Sequence, residues 1–133
     1  MTEIIEHIIA ADLMPPAGHY CHATTYKDLV FVSGQLPVQA DGTHMFELSF
    51  EEQVQQALSN VFSVLKAAGS KPEHVLKITA YIVGVENLTA FNKIYSTTFN
   101  QIRPARSVVP VSELHFGYLV ELEAIAVRAL AAD

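Results

Sequence analysis

A strand-like segment near the C-terminal end of the chain places an arginine within apolar sequence. Residues 106–111 read Arg-Ser-Val-Val-Pro-Val, and the alternation of side chains along a strand puts Arg106, Val108 and Pro110 on one face. A guanidinium in such a strand is costly unless an anion meets it. The anion is either a carboxylate of the protein, in a structural ion pair, or the carboxylate of a substrate that accepts two parallel N–H hydrogen bonds from the guanidinium.

A second apolar segment, residues 120–127, carries two carboxylates. Glu121 and Glu123 share a strand face with Ile125 and Val127. They are either a solvated pair or arginine partners, or they do chemistry. A carboxyl group held in an apolar wall has a raised pKa and can act as a base or position a water molecule.

Four further residues are candidates for shaping a ligand site. Ser33 and Gly34 follow an apolar strand, so they form either a tight turn that uses the backbone freedom of glycine or a place where amides and a hydroxyl meet a ligand. Tyr20 is either a core aromatic or a pocket wall. Asn92, within the second predicted helix, is either a solvated side chain or a donor to the pocket.

Metal and nucleophile chemistry have weaker support. His19 and His22 would point to opposite faces of a strand, and no second ligand cluster stands out, so we expect no metal site. Cys21, the single cysteine, lacks a context that would mark it as a nucleophile. Neither a Gly-x-Ser-x-Gly elbow nor a glycine-rich phosphate loop occurs in the chain.

The elements that must position these residues follow from periodicity and turn signals. Short β-branched or apolar runs predict strands, which cover residues 4–9, 19–25, 29–32, 76–83, 106–112 and 119–130. Ser49 and Glu52 match a capping box that begins a helix ending near Gly69. Asn87 is the predicted N-cap of a second helix. The expected buried positions are Val54, Leu58, Val61, Phe62 and Leu65 in the first helix, and Leu88, Phe91, Tyr95, Phe99 and Ile102 in the second.

The order β-β-β-α-β-α-β-β predicts an α+β fold with a mixed six-stranded sheet. Each helix connects two strands that must run parallel through a right-handed crossover, and the N-terminal strands add an antiparallel part. Both helices then lie on one face of the sheet. The other face still carries apolar side chains, so the pattern predicts association between subunits.

Composition restricts the class of protein. The 133 residues are sufficient for one domain, which we expect to cover 1–133, and 50% of them are hydrophobic. Eight Lys and Arg against fourteen Asp and Glu give a net charge of −6, with no basic cluster, so we expect no nucleic-acid partner. No apolar run approaches the roughly 20 residues of a membrane span. With one cysteine and no recognisable targeting segment, we expect a soluble cytoplasmic protein with no membrane partner.

Taken together, the segments resemble the RidA (YjgF) family of enamine and imine deaminases over nearly the whole chain. The most specific are Pro-Ala-Arg-Ser at 104–107 and Glu-Leu-Glu-Ala-Ile-Ala at 121–126. The other matching segments are 18–20, 32–37, 67–69 and 103, together with Asn92 and Tyr95.

The resemblance implies a chorismate-mutase-like fold and a homotrimer with three clefts between subunits. It also implies hydrolysis of short-lived imines such as 2-aminoacrylate, or its tautomer 2-iminopropanoate, to a 2-oxo acid and ammonia. By position, Arg106 would bind the substrate carboxylate, helped by backbone amides near Gly34 and Val108, and Glu121 would hold the attacking water. Tyr20 and Ser33 would shape the cleft, and Asn92 would support it. No cofactor follows from this scheme.

The chain departs from the family pattern in two places. Val108 stands where many members have cysteine, which puts thiol-based regulation in doubt. Residues 114–118, Leu-His-Phe-Gly-Tyr, replace a Leu-Pro followed by polar residues. If these rings reach the cleft, the pocket is expected to be shaped for something other than the smallest imines.

Other functions remain open on the sequence alone. An arginine anchor would suffice for a non-catalytic trimer that binds small carboxylates as a metabolite sensor or pathway partner, whereas Glu121 favours chemistry. A ribonuclease activity, sometimes attached to this family, does not fit the negative charge. A chorismate mutase would share only the fold.

Overall fold

The computed structural model describes residues 4–44 and 47–128. It contains six strands and two α-helices in the predicted order, and short 3-10 turns precede β4, α2 and β6. The elements are β1 (Glu6–Ile8), β2 (Ala23–Tyr26), β3 (Leu29–Gln35), α1 (Phe50–Ala67), β4 (Val75–Val83), α2 (Leu88–Phe99), β5 (Ala105–Val111) and β6 (Val120–Val127). The last two residues of the predicted final strand, 129 and 130, lie outside the described residues.

The six strands form one mixed sheet in the order β1-β2-β3-β6-β4-β5. β4 and β5 are parallel neighbours joined through α2, and β6 pairs antiparallel with both β3 and β4. β3 and β4 therefore run in the same direction, as the crossover through α1 requires, but β6 lies between them. This insertion places the strand that carries Glu121 in the middle of the sheet.

Both helices cover one face of the sheet, as predicted. The alternate residues of β6 that face them, among them Val120 and Leu122, are fully buried. In α1 the predicted apolar side chains are buried except Phe62, which is half-buried and meets Phe99 edge-on at 5.7 Å between ring centroids. In α2 the buried stripe is narrower than predicted: it holds Phe91, Tyr95 and Phe99.

Leu88 and Ile102 were wrongly predicted to belong to that buried stripe. Leu88 is the first residue of α2 and is 36% exposed, because the helix begins at the rim of the sheet. Ile102 follows the helix, which ends at Phe99, and is half-buried. Helical spacing thus identified the middle of the stripe but not its ends.

The two predicted helix caps have different outcomes. Ser49 forms the full capping box, its hydroxyl accepting from the amide of Glu52 at 3.1 Å while the Glu52 carboxylate accepts from the Ser49 amide at 3.2 Å. Asn87 forms no side-chain cap, because a 3-10 turn over Val85–Asn87 already leads into the helix. The Asn87 amide group instead donates to the carbonyl of Val83 at 2.9 Å.

The N-terminal strands are shorter than predicted. β2 begins at Ala23 rather than at residue 19, because the side chain of His22 is buried and holds the preceding loop. The amide of Ala10 donates to Nδ1 of His22 at 2.9 Å, so the ring proton is on Nε2, which donates to the carbonyl of Met14 at 3.0 Å. His22 is therefore a structural side chain that fixes residues 10–14.

The face of the sheet opposite the helices exposes apolar side chains. Phe31 is 42% exposed there, and Leu29 of the same strand is also exposed. Their register partners in β6 are Ile125 and Val127, and both are only partly buried. Within the described part of the chain, no helix has the length and apolar character needed to cross a membrane.

Candidate active site

A pocket of about 660 Å³ opens beside the end of β3 and the start of β6. Four of the sequence-predicted site residues line it, namely Tyr20, Ser33, Gly34 and Glu121. Its other walls come from the loop over residues 13–18, from the segment after β3, and from His44, Asn60, His115 and Phe116. The structure thus brings together four of the seven predicted residues in one cavity.

Gly34 and Glu121 touch at the base of this pocket. The two strands lose their regular register between Val32 and Gln35, where a bulge brings Gly34 against the glutamate. A Cβ atom at position 34 would lie 2.4 Å from Oε2 of Glu121. Gly34 has no positive φ, so it is needed for close approach rather than for the backbone freedom of a tight turn. The strand also continues through Gln35 instead of ending before it.

Ser33 and Tyr20 occupy the wall next to Glu121. The Ser33 hydroxyl donates to the carbonyl of Cys21 at 2.7 Å, which fixes its hydrogen and leaves its oxygen lone pairs for a ligand. Tyr20 is 51% exposed, so it is a rim residue rather than a core aromatic. Cys21 is half-buried, and its sulfur is directed at the carbonyl of Ala23 at 3.2 Å.

Glu121 is the titratable group that the pocket perturbs. Burial raises the pKa of its carboxyl group above the ordinary value, and the negative charge of Glu123 raises it further. The nearby His115 acts in the opposite direction on this pKa, because a positive imidazolium favours the carboxylate. A carboxyl group of this kind accepts a proton more readily than a solvated one.

Arg106 lies in a different environment. Its guanidinium stacks on two aromatic rings of α2, 4.9 Å from the ring centroid of Tyr95 and 5.7 Å from that of Phe91. Arg106 as a whole is exposed, and it lies on β5, the strand at one edge of the sheet. No carboxylate within residues 4–44 and 47–128 forms a salt bridge with it. The structural ion pair is therefore absent from the described residues, and the charge is available to an external anion.

Arg106 and Glu121 lie on opposite faces of the same sheet. The strand β4 lies between β5 and β6 and pairs with both. Arg106 of β5 is opposite Ile78 of β4, and Glu121 of β6 is opposite Tyr81 of β4. Those two positions are three residues apart on one strand, so they point to opposite faces. Val108 lies on the face of Arg106, as predicted, and Asn92 is exposed on α2. The predicted residues of one subunit therefore lie in separate places. Tyr20, Ser33, Gly34 and Glu121 line the pocket and are called the glutamate half of the candidate site. Arg106 and Val108 lie on the other face of the sheet and, with the exposed Asn92 of α2, are called the arginine half.

Two residues that hold the glutamate half in place were not recognised from the sequence. Gln53 is fully buried, and its side-chain oxygen accepts from the amide of Leu119 at 2.9 Å, which fixes the entry to β6. Asn60 donates to the carbonyls of Leu36 and Val38 at 3.0 and 2.9 Å, which fixes the exit from β3. Both are amides on the buried face of an amphipathic helix, and that is the signal that could have identified them.

The site offers little to a metal ion. His22 is committed through both ring nitrogens. Among the residues that the structure describes, no three His, Cys, Asp or Glu side chains are grouped closely enough to hold a metal. What the arrangement provides is a proton-accepting carboxylate in a pocket and, elsewhere on the subunit, a cation on an aromatic platform.

Comparison with known proteins gives the family. The family model described as Endoribonuclease L-PSP matches residues 11–128. Protein HMF1 of Saccharomyces cerevisiae is 33% identical over 126 residues, which is 95% of this chain and 97% of that protein. The 2-iminobutanoate/2-iminopropanoate deaminase of Rattus norvegicus is 33% identical over 129 residues, with 96% of this chain and 94% of the relative covered.

Solved structures agree. The crystal structure of E. coli TdcF with bound serine superposes with a TM-score of 0.87 at 29% identity, covering 93% of this chain and 99% of that one. The range matched by the family model, residues 11–128, spans both halves of the candidate site. The chain therefore belongs to the Endoribonuclease L-PSP family, which comprises the YjgF, RidA and RutC proteins.

Proposed function

We propose that this protein hydrolyses reactive 2-imino acids, and the enamines from which they form, to 2-oxo acids and ammonia. The substrates are of the type of 2-aminoacrylate and 2-iminopropanoate. The family includes deaminases of this kind, such as the rat relative. The observation that carries the proposal is Glu121: a carboxyl group with a raised pKa, in a pocket, pressed against a glycine that leaves room for it.

The proposed reaction needs one proton acceptor and one anchor. The substrate is the iminium form of the imine. Glu121 accepts a proton from water as the water oxygen bonds to the iminium carbon and the C=N π electrons move to nitrogen, which gives a neutral carbinolamine. The Glu121 carboxyl group then gives this proton to the nitrogen. As the C–N bond breaks, the carboxylate takes the hydroxyl proton, the carbonyl of the 2-oxo acid forms, and ammonia leaves and picks up that proton as ammonium. Arg106 binds the substrate carboxylate through two parallel hydrogen bonds. Positioning accounts for much of the acceleration, because an imine already hydrolyses in water.

The two half-sites require a second subunit to meet, and we propose a homotrimer. Arg106, Asn92 and Val108 of one subunit would face Tyr20, Ser33, Gly34 and Glu121 of its neighbour. The exposed apolar side chains opposite the helices, Phe31 and Leu29 among them, give such an assembly an apolar surface to bury. The exposure of Arg106 at the sheet edge is consistent with a role across an interface.

The test is a coupled assay. A pyridoxal-phosphate-dependent serine dehydratase generates 2-aminoacrylate, and the appearance of pyruvate is followed with wild type, Arg106→Ala and Glu121→Ala. We expect wild type to accelerate pyruvate formation and both variants to lose the acceleration. Light scattering on the same samples reports whether the variants still form the assembly.

Two results would contradict the proposal. Wild type that leaves pyruvate formation unchanged is not a hydrolase of this imine. A wild-type monomer in light scattering would remove the cleft between subunits, and acceleration by such a monomer would show that the half-sites do not need to meet.

A non-catalytic function is the second candidate. The exposed guanidinium of Arg106 on its aromatic platform can bind a small carboxylate without any chemistry, as a metabolite sensor or a pathway partner would. Saturable binding of a 2-oxo acid that needs Arg106 and not Glu121, with no acceleration of imine hydrolysis, would favour this function. A ribonuclease activity, which the name of the family model suggests, is disfavoured by the net charge of −6.

A further inference from the structure

We propose that the pocket beside Glu121 selects imino acids with an aromatic or similarly large apolar side chain over the three- and four-carbon imines. This inference rests on the proposed function, whose substrate class it narrows. It is carried by Phe116 and His44, two rings on the pocket wall that neither the proton transfer nor the carboxylate anchor uses.

The backbone conformation of Phe116 keeps its ring exposed to solvent. Its backbone has φ 61° and ψ 13°, in the left-handed region that is uncommon for a bulky residue. The following Gly117 also has a positive φ, of 79°. Phe116 therefore does not adopt an ordinary 3-10 conformation. This turn leaves its side chain 59% exposed on the pocket wall. Backbone conformations of this kind cluster at ligand sites, and this one holds a ring on the wall of the pocket.

His44 extends the aromatic wall, and Tyr118 fixes it. The ring centroids of His44 and Phe116 are 4.8 Å apart with their planes inclined at 43°. A hydrogen bond of 2.6 Å joins Nδ1 of His44 to the hydroxyl of Tyr118, whose side chain is fully buried. The base of the wall is therefore a buried tyrosine that is hydrogen-bonded to His44, and the neighbouring rings of His44 and Phe116 both line the cavity.

The size of the cavity agrees with a large side chain. The cavity of one subunit, before any neighbour faces it, has about 660 Å³, which lies within the roughly 300–1,000 Å³ of sites for drug-sized ligands and exceeds what a three-carbon imino acid fills. Glu121 and Phe116 line the same cavity, so a substrate whose imine carbon meets Glu121 can direct its side chain toward Phe116. Aliphatic and proline side chains of the loop over residues 13–17 provide further apolar walls.

The experiment compares imines of different size made in the same way. An L-amino-acid oxidase, with catalase present, generates imines from L-2-aminobutyrate, L-leucine and L-phenylalanine. Semicarbazide traps the imine that the protein has not hydrolysed. The imine made from phenylalanine is called the phenyl imine, and the one made from 2-aminobutyrate the ethyl imine. We expect wild type to reduce trapping of the phenyl imine most strongly. Phe116→Ala should lower the ratio of kcat/KM for the phenyl imine to kcat/KM for the ethyl imine about tenfold or more, as for the loss of an apolar pocket contact.

Controls separate selectivity from folding. Val85→Ala removes an exposed apolar side chain outside the pocket and should leave the ratio unchanged. We expect Phe116→Ala to keep the melting temperature of wild type within a few degrees, because the side chain is 59% exposed. The ratio of the two efficiencies cancels any loss that affects both imines equally. Calorimetry with phenylpyruvate and 2-oxobutanoate measures the same preference on the products, without catalysis.

The outcomes distinguish this inference from the proposed function. Hydrolysis of the ethyl imine with no preference for the phenyl imine, or a preference that Phe116→Ala leaves intact, overturns the inference alone. If no imine is hydrolysed, the proposed function fails, and calorimetry then decides the inference. Tighter binding of phenylpyruvate that depends on Phe116 supports it, whereas equal binding of the two acids overturns it.

Discussion

The glutamate half and the arginine half of the candidate site are built in different ways. Glu121 lies in the central strand of the sheet, in a pocket whose two flanking segments are fixed by buried amides of α1. Arg106 lies on an edge strand, exposed, and its guanidinium rests on the rings of Tyr95 and Phe91. The first half is preorganised by its own subunit, whereas the second presents a charge outward.

The difference between the two environments matches the different requirements of a proton acceptor and of an anchor for an anion. A proton acceptor needs a partly dry environment to raise its pKa, and the interior of a sheet provides one. An anchor for an anion must keep its charge, and an aromatic platform at the edge of a sheet supports a guanidinium without neutralising it. In the proposed cleft between subunits each half is incomplete alone, so experiments that separate the halves are the sharpest tests.

The largest effect is expected from mixing two inactive variants. Glu121→Gln removes the proton acceptor and should lower kcat/KM by about 10²–10⁴. Arg106→Ala removes the anchor, and an assembly made only of this variant should lose most of the wild-type activity. Unfolding and random reassembly of the two variants together should restore about a quarter of wild-type activity in a cyclic trimer, because each cleft needs one intact half from each neighbour.

The control for this mixing is each variant reassembled alone, which should stay inactive. Activity that does not return in confirmed mixed assemblies would mean that the two halves do not act in one cleft.

The next largest effect should come from Gly34→Ala. The added Cβ would lie 2.4 Å from Oε2 of Glu121, and the carboxylate is the flexible end of a side chain, so it moves rather than the strand. We expect kcat/KM to fall about tenfold to a hundredfold. The loss of stability should stay below the roughly 1–3 kcal/mol of overpacking a rigid core.

A double-mutant cycle tests whether Gly34 acts through Glu121. In a Glu121→Gln background, Gly34→Ala should cause almost no further loss of kcat/KM. An additional loss of the same size would assign Gly34 a separate role, for example as an amide donor.

The pH profile should report the glutamate half and not the arginine half. Activity needs the carboxylate of Glu121, so it should fall as the pH is lowered through a pKa that burial has raised. Glu123→Gln should move this acid limb to lower pH, because it removes a charge that raises the pKa, and His115→Ala should move it to higher pH. Shifts of kcat/KM profiles in the opposite sense would contradict the assignment.

The pH dependence of stability gives an independent check that the pKa of Glu121 is raised rather than lowered. The native state binds the Glu121 proton more tightly than the unfolded chain does, so the contribution of this group to stability is present at low pH and is lost as the pH rises through its raised pKa. Glu121→Gln should therefore not lower the melting temperature at neutral pH, even though it lowers activity.

The smallest effect is expected from a residue that belongs to neither half. Ser49→Ala removes the capping box of α1 and should cost about 1 kcal/mol of unfolding free energy, measured by urea denaturation. We expect kcat/KM to stay within twofold of wild type. A large loss of activity would show that the start of α1 positions the glutamate half more directly than the hydrogen bonds indicate.

Much of this fold was predictable because local signals agreed. Capping at Ser49 and the spacing of Phe91, Tyr95 and Phe99 marked the helices, and short apolar runs marked every strand. Two predictions failed for different reasons. Asn87 occupies the N-cap position of α2, but its side chain forms no cap, since the adjacent 3-10 turn already leads into the helix. β2 begins late because the His22 side chain bonds to Ala10 and Met14, contacts that the pattern of the strand itself does not contain.

The sequence by itself determined which side chains are candidates for chemistry and on which face of its own strand each of Arg106 and Glu121 lies. Alternation along β5 and β6 fixed the companions of Arg106 and of Glu121. Only the tertiary structure decided how the two strands relate. β6 is inserted between β3 and β4, which gives Glu121 its pocket against Gly34 and leaves Arg106 on the opposite face. Strand order and register depend on long-range pairing and burial, and one strand's pattern contains no information about its neighbours.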